Sequence, residues 1–88
     1  HDTLNYIARR TGENCYEFSG RVEIEKINEL FDIGLPESDE YMTIAGYILY
    51  HYKTIPKPGE TIEIENYKFE ILKGNRTKIE LVKMKIEN

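Results

Sequence analysis

The sequence predicts an α+β domain, one antiparallel β-sheet with two α-helices packed on one of its faces. Two observations predict it. Apolar residues recur at helical spacing in two stretches, 24–31 and 41–52, and alternate at strand spacing before and after them. Tight turns then join the last three strands: Glu65-Asn66 and Gly74-Asn75 leave links too short for anything but antiparallel neighbours, and Pro58-Gly59 turns the chain into the first of them. The chain has 88 residues, 40% of them hydrophobic and 32% charged. That is the size and composition of one globular domain with a small core.

In chain order, residues 1–13 mix Leu4, Tyr6 and Ile7 with Arg9, Arg10, Gly12 and Glu13. They read as a linker from a preceding module, with room for one helical turn, and residues 14–88 read as the domain. Cys15-Tyr16-Glu17-Phe18 alternates, which places Tyr16 and Phe18 on one face of a short strand that Ser19-Gly20 stops. Ile24, Ile27, Leu30 and Phe31 make a two-turn helix, with Gly34 and Pro36 at its end. Ser38 or Asp39 is placed to cap a second helix. Its apolar stripe is Tyr41, Ile44, Ala45, Ile48, Leu49 and Tyr52, and Gly46 inside it implies close packing.

Ile62 and Ile64 mark the next strand, and Tyr67, Phe69 and Ile71 its hairpin partner, with Asn66 suited to the turn. In the last strand the apolar positions change phase, from Ile79 and Leu81 to Val82, Met84 and Ile86. A strand keeps one face only by keeping period two, so the shift implies a β-bulge or a strand covered on both faces.

Charge and composition restrict the function. The net charge is −4, which disfavours nucleic acid and anionic membrane surfaces. Lys78, Lys83 and Lys85 form either a local basic stripe or a solvated strand face. A lone cysteine, Cys15, fits a reducing compartment. No apolar run approaches the length needed to cross a bilayer, and no secretory signal is visible. The polar start His1-Asp2-Thr3, without Met, reads as a boundary inside a longer protein.

No catalytic set is visible. Cys15 has only His51 and His1 as candidate bases, and the scattered glycines form no phosphate loop. Glu37, Asp39 and Glu40 have the oxygen chemistry for a divalent cation, but helix capping and solubility explain them as well. No metal site is expected. On the second helix, Tyr47 and Tyr50 lie off the stripe, three residues apart, and are the candidate interaction surface.

Taken together, several segments resemble the transporter-associated CorC/HlyC domain. They are Phe18-Ser19-Gly20-Arg21-Val22-Glu23-Ile24 through Ile27-Asn28-Glu29-Leu30, the Leu35-Pro36-Glu37 loop, Tyr41 through Leu49, Ile55-Pro56-Lys57-Pro58-Gly59-Glu60, Phe69-Glu70-Ile71-Leu72 and the final strand around Val82. The resemblance covers residues 14–86. Tyr47 is a departure, because the family often carries a second glycine there.

The resemblance implies a domain at the cytoplasmic face of the membrane. It would lie C-terminal to a membrane domain and a pair of CBS motifs, in proteins linked to magnesium and cobalt efflux or labelled hemolysins. The implied fold is similar to a subdomain of flavin-binding oxidoreductases. The implied role is non-catalytic, regulatory or docking, with the CBS module, the membrane domain or a second copy as partner. No cofactor is expected in this fragment, and a flavin or adenine nucleotide follows from fold resemblance alone. The alternative is a small-ligand sensor, with the ligand between sheet and helices. A pocket of roughly 300 Å³ or more favours the sensor, and a filled core with an exposed apolar patch favours docking.

Overall fold

The computed structural model describes residues 6–87. Its elements run β1 (Ala8–Gly12), β2 (Cys15–Ser19), α1 (Ile24–Phe31), α2 (Ile44–Tyr52), β3 (Thr61–Ile64), β4 (Tyr67–Gly74) and β5 (Ile79–Ile86). The strands form one antiparallel sheet in the order β1-β2-β5-β4-β3. The α+β architecture is the one expected, with one strand more.

That strand is β1, in the stretch read from sequence as a linker. ARRTG shows no apolar alternation, so its pairing comes from its neighbour. Ala8 lies opposite Phe18, Arg9 opposite Glu17 and Arg10 opposite Tyr16. Arg9 donates to Glu17 at 2.7 Å. The connecting turn is possible because Asn14 adopts a left-handed backbone (φ 60°), which asparagine tolerates better than most residues. Residues 1–5 of that stretch lie outside the described residues.

Cross-strand register explains which face is covered. One row runs Tyr16, Met84, Phe69, Ile62, and the next runs Phe18, Val82, Ile71. These side chains are all buried, together with Ile24 and Ile27 of α1 and Ile44, Tyr47 and Ile48 of α2. Phe31 of α1 packs on Tyr16 and Phe18, with ring centroids 5.1 and 5.9 Å apart. Tyr47 of α2 packs on Phe69 at 6.0 Å. Both helices therefore sit on the same face. The other face carries a row of alternating charge, Arg9, Glu17, Lys83, Glu70. Beside it Lys68 reaches Glu63 and Glu87 at 3.7 and 3.3 Å. Lys83 and Lys85 thus belong to a solvated, charge-balanced strand face.

The phase change in the last strand is a bulge. Ile71 pairs with Val82, but Lys73 pairs with Leu81 and Gly74 with Ile79. Leu72 is the extra residue on β4 and Glu80 the extra residue on β5. This keeps Ile79 in the core although it is three positions from Val82.

Two helix boundaries differ from the sequence expectation. α1 ends at Phe31 because Asp32 turns left-handed (φ 54°) and its N–H donates to the Asn28 carbonyl at 2.8 Å; Gly34 comes later. α2 starts at Ile44 and not near Tyr41. Thr43 caps it, its Oγ1 accepting from the Gly46 N–H at 3.1 Å. Ser38 instead accepts from the Glu40 N–H at 3.0 Å. Residues 41–43 are extended because they bridge back to the start of α1. The Ile24 N–H donates to the Met42 carbonyl, and the Ile44 N–H to the Val22 carbonyl. The hairpin tip is where expected, but Glu65 takes the left-handed conformation (φ 54°).

Candidate functional site

The late start of α2 fixes what its faces present. Ile44, Tyr47 and Ile48, at spacing i, i+3, i+4, point to the sheet. Tyr47 is 0% exposed, so it is a core residue and not half of a surface pair. The stripe read from sequence assumed a helix from Tyr41. In the helix that forms, the face turned to the sheet is centred on Ile44, Tyr47 and Ile48, one side of the expected stripe, and Tyr41 and Tyr52 fall to its margins. Tyr50 is exposed at 44%, as expected. Its ring meets His51 at 5.2 Å and Tyr41 at 5.4 Å, and Lys53 Nζ lies 5.1 Å above it. Met42 at 69% and Tyr52 at 39% are also exposed near this helix. Tyr50 thus stands among aromatic and cationic neighbours, and Met42, in the segment before α2, is an exposed apolar side chain that helical periodicity did not indicate.

Tyr47 carries a second feature. Its hydroxyl is buried without a hydrogen-bond partner among the described residues. Burial, then the nearby Glu65 carboxylate, push its pKa well above the ordinary tyrosine value of 10.0. Burial and Glu65 also raise Tyr67. The Tyr41 hydroxyl, by contrast, donates to the Pro36 carbonyl at 2.9 Å.

The residues considered for catalysis are kept apart. Cys15 is half-buried on β2, on the sheet face away from the helices, whereas His51 is on α2. His1 lies outside the described residues. Among the described residues no three His, Cys, Asp or Glu side chains form a metal-binding group. Glu37 accepts from Asn28 Nδ2 at 3.1 Å, and with Glu23, Glu25 and Asp39 it borders a hollow of about 280 Å³ beside Tyr41 and Met42.

Asn28 was quoted in the sequence only as part of a pattern, and its role is structural. Its Nδ2 donates to the Leu35 carbonyl at 2.9 Å, and its Oδ1 accepts from the Gly34 and Leu35 N–H groups at 3.0 and 2.8 Å. One amide thus folds the whole loop after α1.

A larger groove, of about 390 Å³, opens on the helix-free face at one end of the sheet. Ile7 and the Ser19–Arg21 turn form one side, and the bulged part of β4 and β5, with Lys73, Lys78 and Leu81, forms the other. Gly20 makes this wall thin. Its N–H donates to the Glu80 carbonyl at 3.0 Å, and a Cβ there would overlap the Ile79 carbonyl oxygen. The space between sheet and helices, where a sensor's ligand was expected, is filled by core side chains.

The family model described as a transporter-associated domain, CorC_HlyC, matches residues 9–88. The chain is similar to a polyamine export protein of Haemophilus influenzae, 31% identical over 78 residues, covering 88% of this chain and 18% of that protein. It spans less than a fifth of the length of the curated relatives it matches. Among solved structures, a hemolysin domain from Enterococcus faecalis superposes with TM-score 0.75 at 28% identity, covering 93% of this chain and 99% of that one. The Mg2+ and Co2+ transporter (CorC) associated region from Neisseria meningitidis has TM-score 0.78 at 20% identity, covering 90% and 96%, and bears on the fold alone. The family match begins inside β1, so a stretch that sequence patterning assigned to a linker is matched as part of the domain, and this chain belongs to the CorC_HlyC transporter-associated domain family.

Proposed function

We propose that this chain is a non-catalytic regulatory or docking domain of a membrane transport protein, held at the cytoplasmic face. Its partner would be the CBS module or membrane domain of the same longer protein. Family membership and the much greater length of the relatives support the setting. The cargo would be a cation, since the Haemophilus influenzae relative is named a polyamine export protein. Among the described residues no helix is long and apolar enough to cross a membrane, so a membrane-spanning path would be supplied by other parts of the protein. The observation that carries docking is the exposed surface of α2 and of the segment that leads into it. Tyr50 and Met42 remain exposed while the interior is filled. Exposed aromatic and Met side chains on a small domain are the composition of interface centres.

The test is Met42→Ser with Tyr50→Ser in the whole transport protein. Both side chains are exposed, so the domain should keep its fold, while association between this domain and the rest of the protein weakens by about tenfold and transport falls. Unchanged association and transport, with the double change in place, would sink the reading.

A second reading, small-ligand sensing, is favoured by one observation, the groove of about 390 Å³. It exceeds the roughly 300 Å³ at which ligand pockets begin. Its place, outside the sheet, differs from the one expected from sequence.

A further inference from the structure

We infer that the groove on the helix-free face binds a small organic dianion, two negative charges close together on an apolar body, such as a phosphate monoester or a dicarboxylate. This rests on the sensing reading and gives it a ligand class. The charge pattern is the first argument. Arg21, Lys73 and Lys78 border the groove against one carboxylate, Glu80, in a chain whose net charge is −4. Elsewhere on the same face cations and carboxylates alternate across the strands.

The second argument concerns what these cations already touch. Among the described residues the Lys73 and Lys78 ammonium groups have no ion pair or hydrogen bond. Glu80 is engaged by Asn75 Nδ2 at 3.2 Å. Arg21 sits 5.5 Å from the Tyr6 ring centre, which holds its guanidinium beside the groove. Two lysines without a partner of their own among the described residues, around one space, suit two negative charges better than one.

The third argument is the rest of the lining. Ile7 and Leu81 are half-buried and border the same space. Leu81 faces this way because it alternates with the buried Val82 and lies opposite Ser19 and Lys73, off the core face. An apolar body can therefore lie on them while its charged end meets the cations.

The probes are phenyl phosphate, phthalate and neutral benzyl alcohol, titrated into the 88-residue chain and followed by 1H–15N NMR. Saturable shifts should concentrate at the amides of Gly20, Arg21, Ile79, Glu80 and Leu81 for one or both dianions. The two dianions separate a phosphate source from a carboxylate source. The double variant Lys73→Gln, Lys78→Gln should bind about tenfold or more weakly, as expected for losing charge-assisted contacts. Lys83→Gln, Lys85→Gln, on the same face but outside the groove, should bind like the parent. Equal affinity in the groove variant, shifts spread evenly over all lysines, or equal binding of benzyl alcohol overturns the dianion inference. In the last case the sensing reading survives. No shift with any probe removes both, and leaves docking through α2 untouched.

Discussion

A single hydroxyl shows how residue chemistry and packing disagree in this core. Tyr47 brings the volume that fills the space between α2 and β4, and its ring touches Tyr41 at 5.2 Å, His51 at 4.9 Å and Phe69 at 6.0 Å. Its oxygen gains no hydrogen bond, and burying an unpaired hydroxyl costs about 1–3 kcal/mol. Tyr47→Phe keeps the ring and removes the cost, so the variant should be as stable as the parent or more stable by about 1–2 kcal/mol at neutral pH. The pH dependence has a definite sign. The folded chain holds the Tyr47 proton more tightly than the unfolded chain, so the unfolded tyrosine ionises first as pH rises. Stability is therefore complete below the ordinary value of 10.0 and declines above it. The variant should lose less stability in that alkaline range. Urea midpoints at pH 7 and above pH 10 decide the matter, and a lower midpoint for the variant at pH 7 would mean that the hydroxyl has a partner.

Elements were legible to different degrees, and the reasons are physical. The β3–β4 hairpin and the phase change in β5 were readable because Ile62, Ile64, Tyr67, Phe69 and Ile71 keep strict alternation, and a break in alternation has few causes. β1 was not readable, since its order comes from pairing with β2 and not from its own side chains. The start of α2 was not readable because Tyr41 has helical spacing from Ile44 and Ile48, yet a local bridge ties Tyr41 to Ser38 and a long-range bridge ties residues 42–44 to residues 22–24. The side of α2 that meets the sheet was not readable either, because Tyr47 and Leu49 flank the Ile44–Ile48 row equally well by composition, and packing on Phe69 selects Tyr47. Gly46 fared better. A Cβ there would lie 3.2 Å from the Tyr41 Cβ and 3.3 Å from Thr43 Oγ1. Gly46→Leu should therefore destabilise by about 1–3 kcal/mol through crowding, despite leucine's better helix propensity. A thermal midpoint at or above the parent's would show that the helix start can shift to admit the side chain.

At the scale of the whole molecule the open question is where the domain begins. Sequence patterning starts it at residue 14, whereas the sheet starts it at Ala8. β1 covers the edge of β2, where Ala8 lies beside Phe18, and Ser19 Oγ accepts from the Ile7 N–H at 2.7 Å. A chain of residues 14–88 should consequently be less stable than one of residues 6–88 by about 2 kcal/mol or more, from lost apolar cover and unpaired strand groups. Denaturant unfolding of the two lengths measures this directly, and equal midpoints would return β1 to the status of a linker. β1 and β3 also form the two sheet edges. Arg9 and Arg10 on one, and only four residues on the other, discourage further strand pairing. Association of this domain is on that account better sought at side-chain surfaces such as α2 than along its sheet edges.

The paired bulges give the β4–β5 hairpin a reading frame. Leu72 adds one residue to one strand, and Glu80 adds one to the other a step later, so the register between Ile71 and Val82 is recovered between Gly74 and Ile79. Deleting either residue alone removes one offset and leaves the other, so the two strands reach the turn out of step by one residue. Deleting both restores alternation, because each strand then steps from inward to outward to inward again. Such a hairpin would be shorter and straight, and Glu80, which borders the groove, would be missing from its wall. In this fold, a change of hairpin length and the shape of that groove are therefore inherited together.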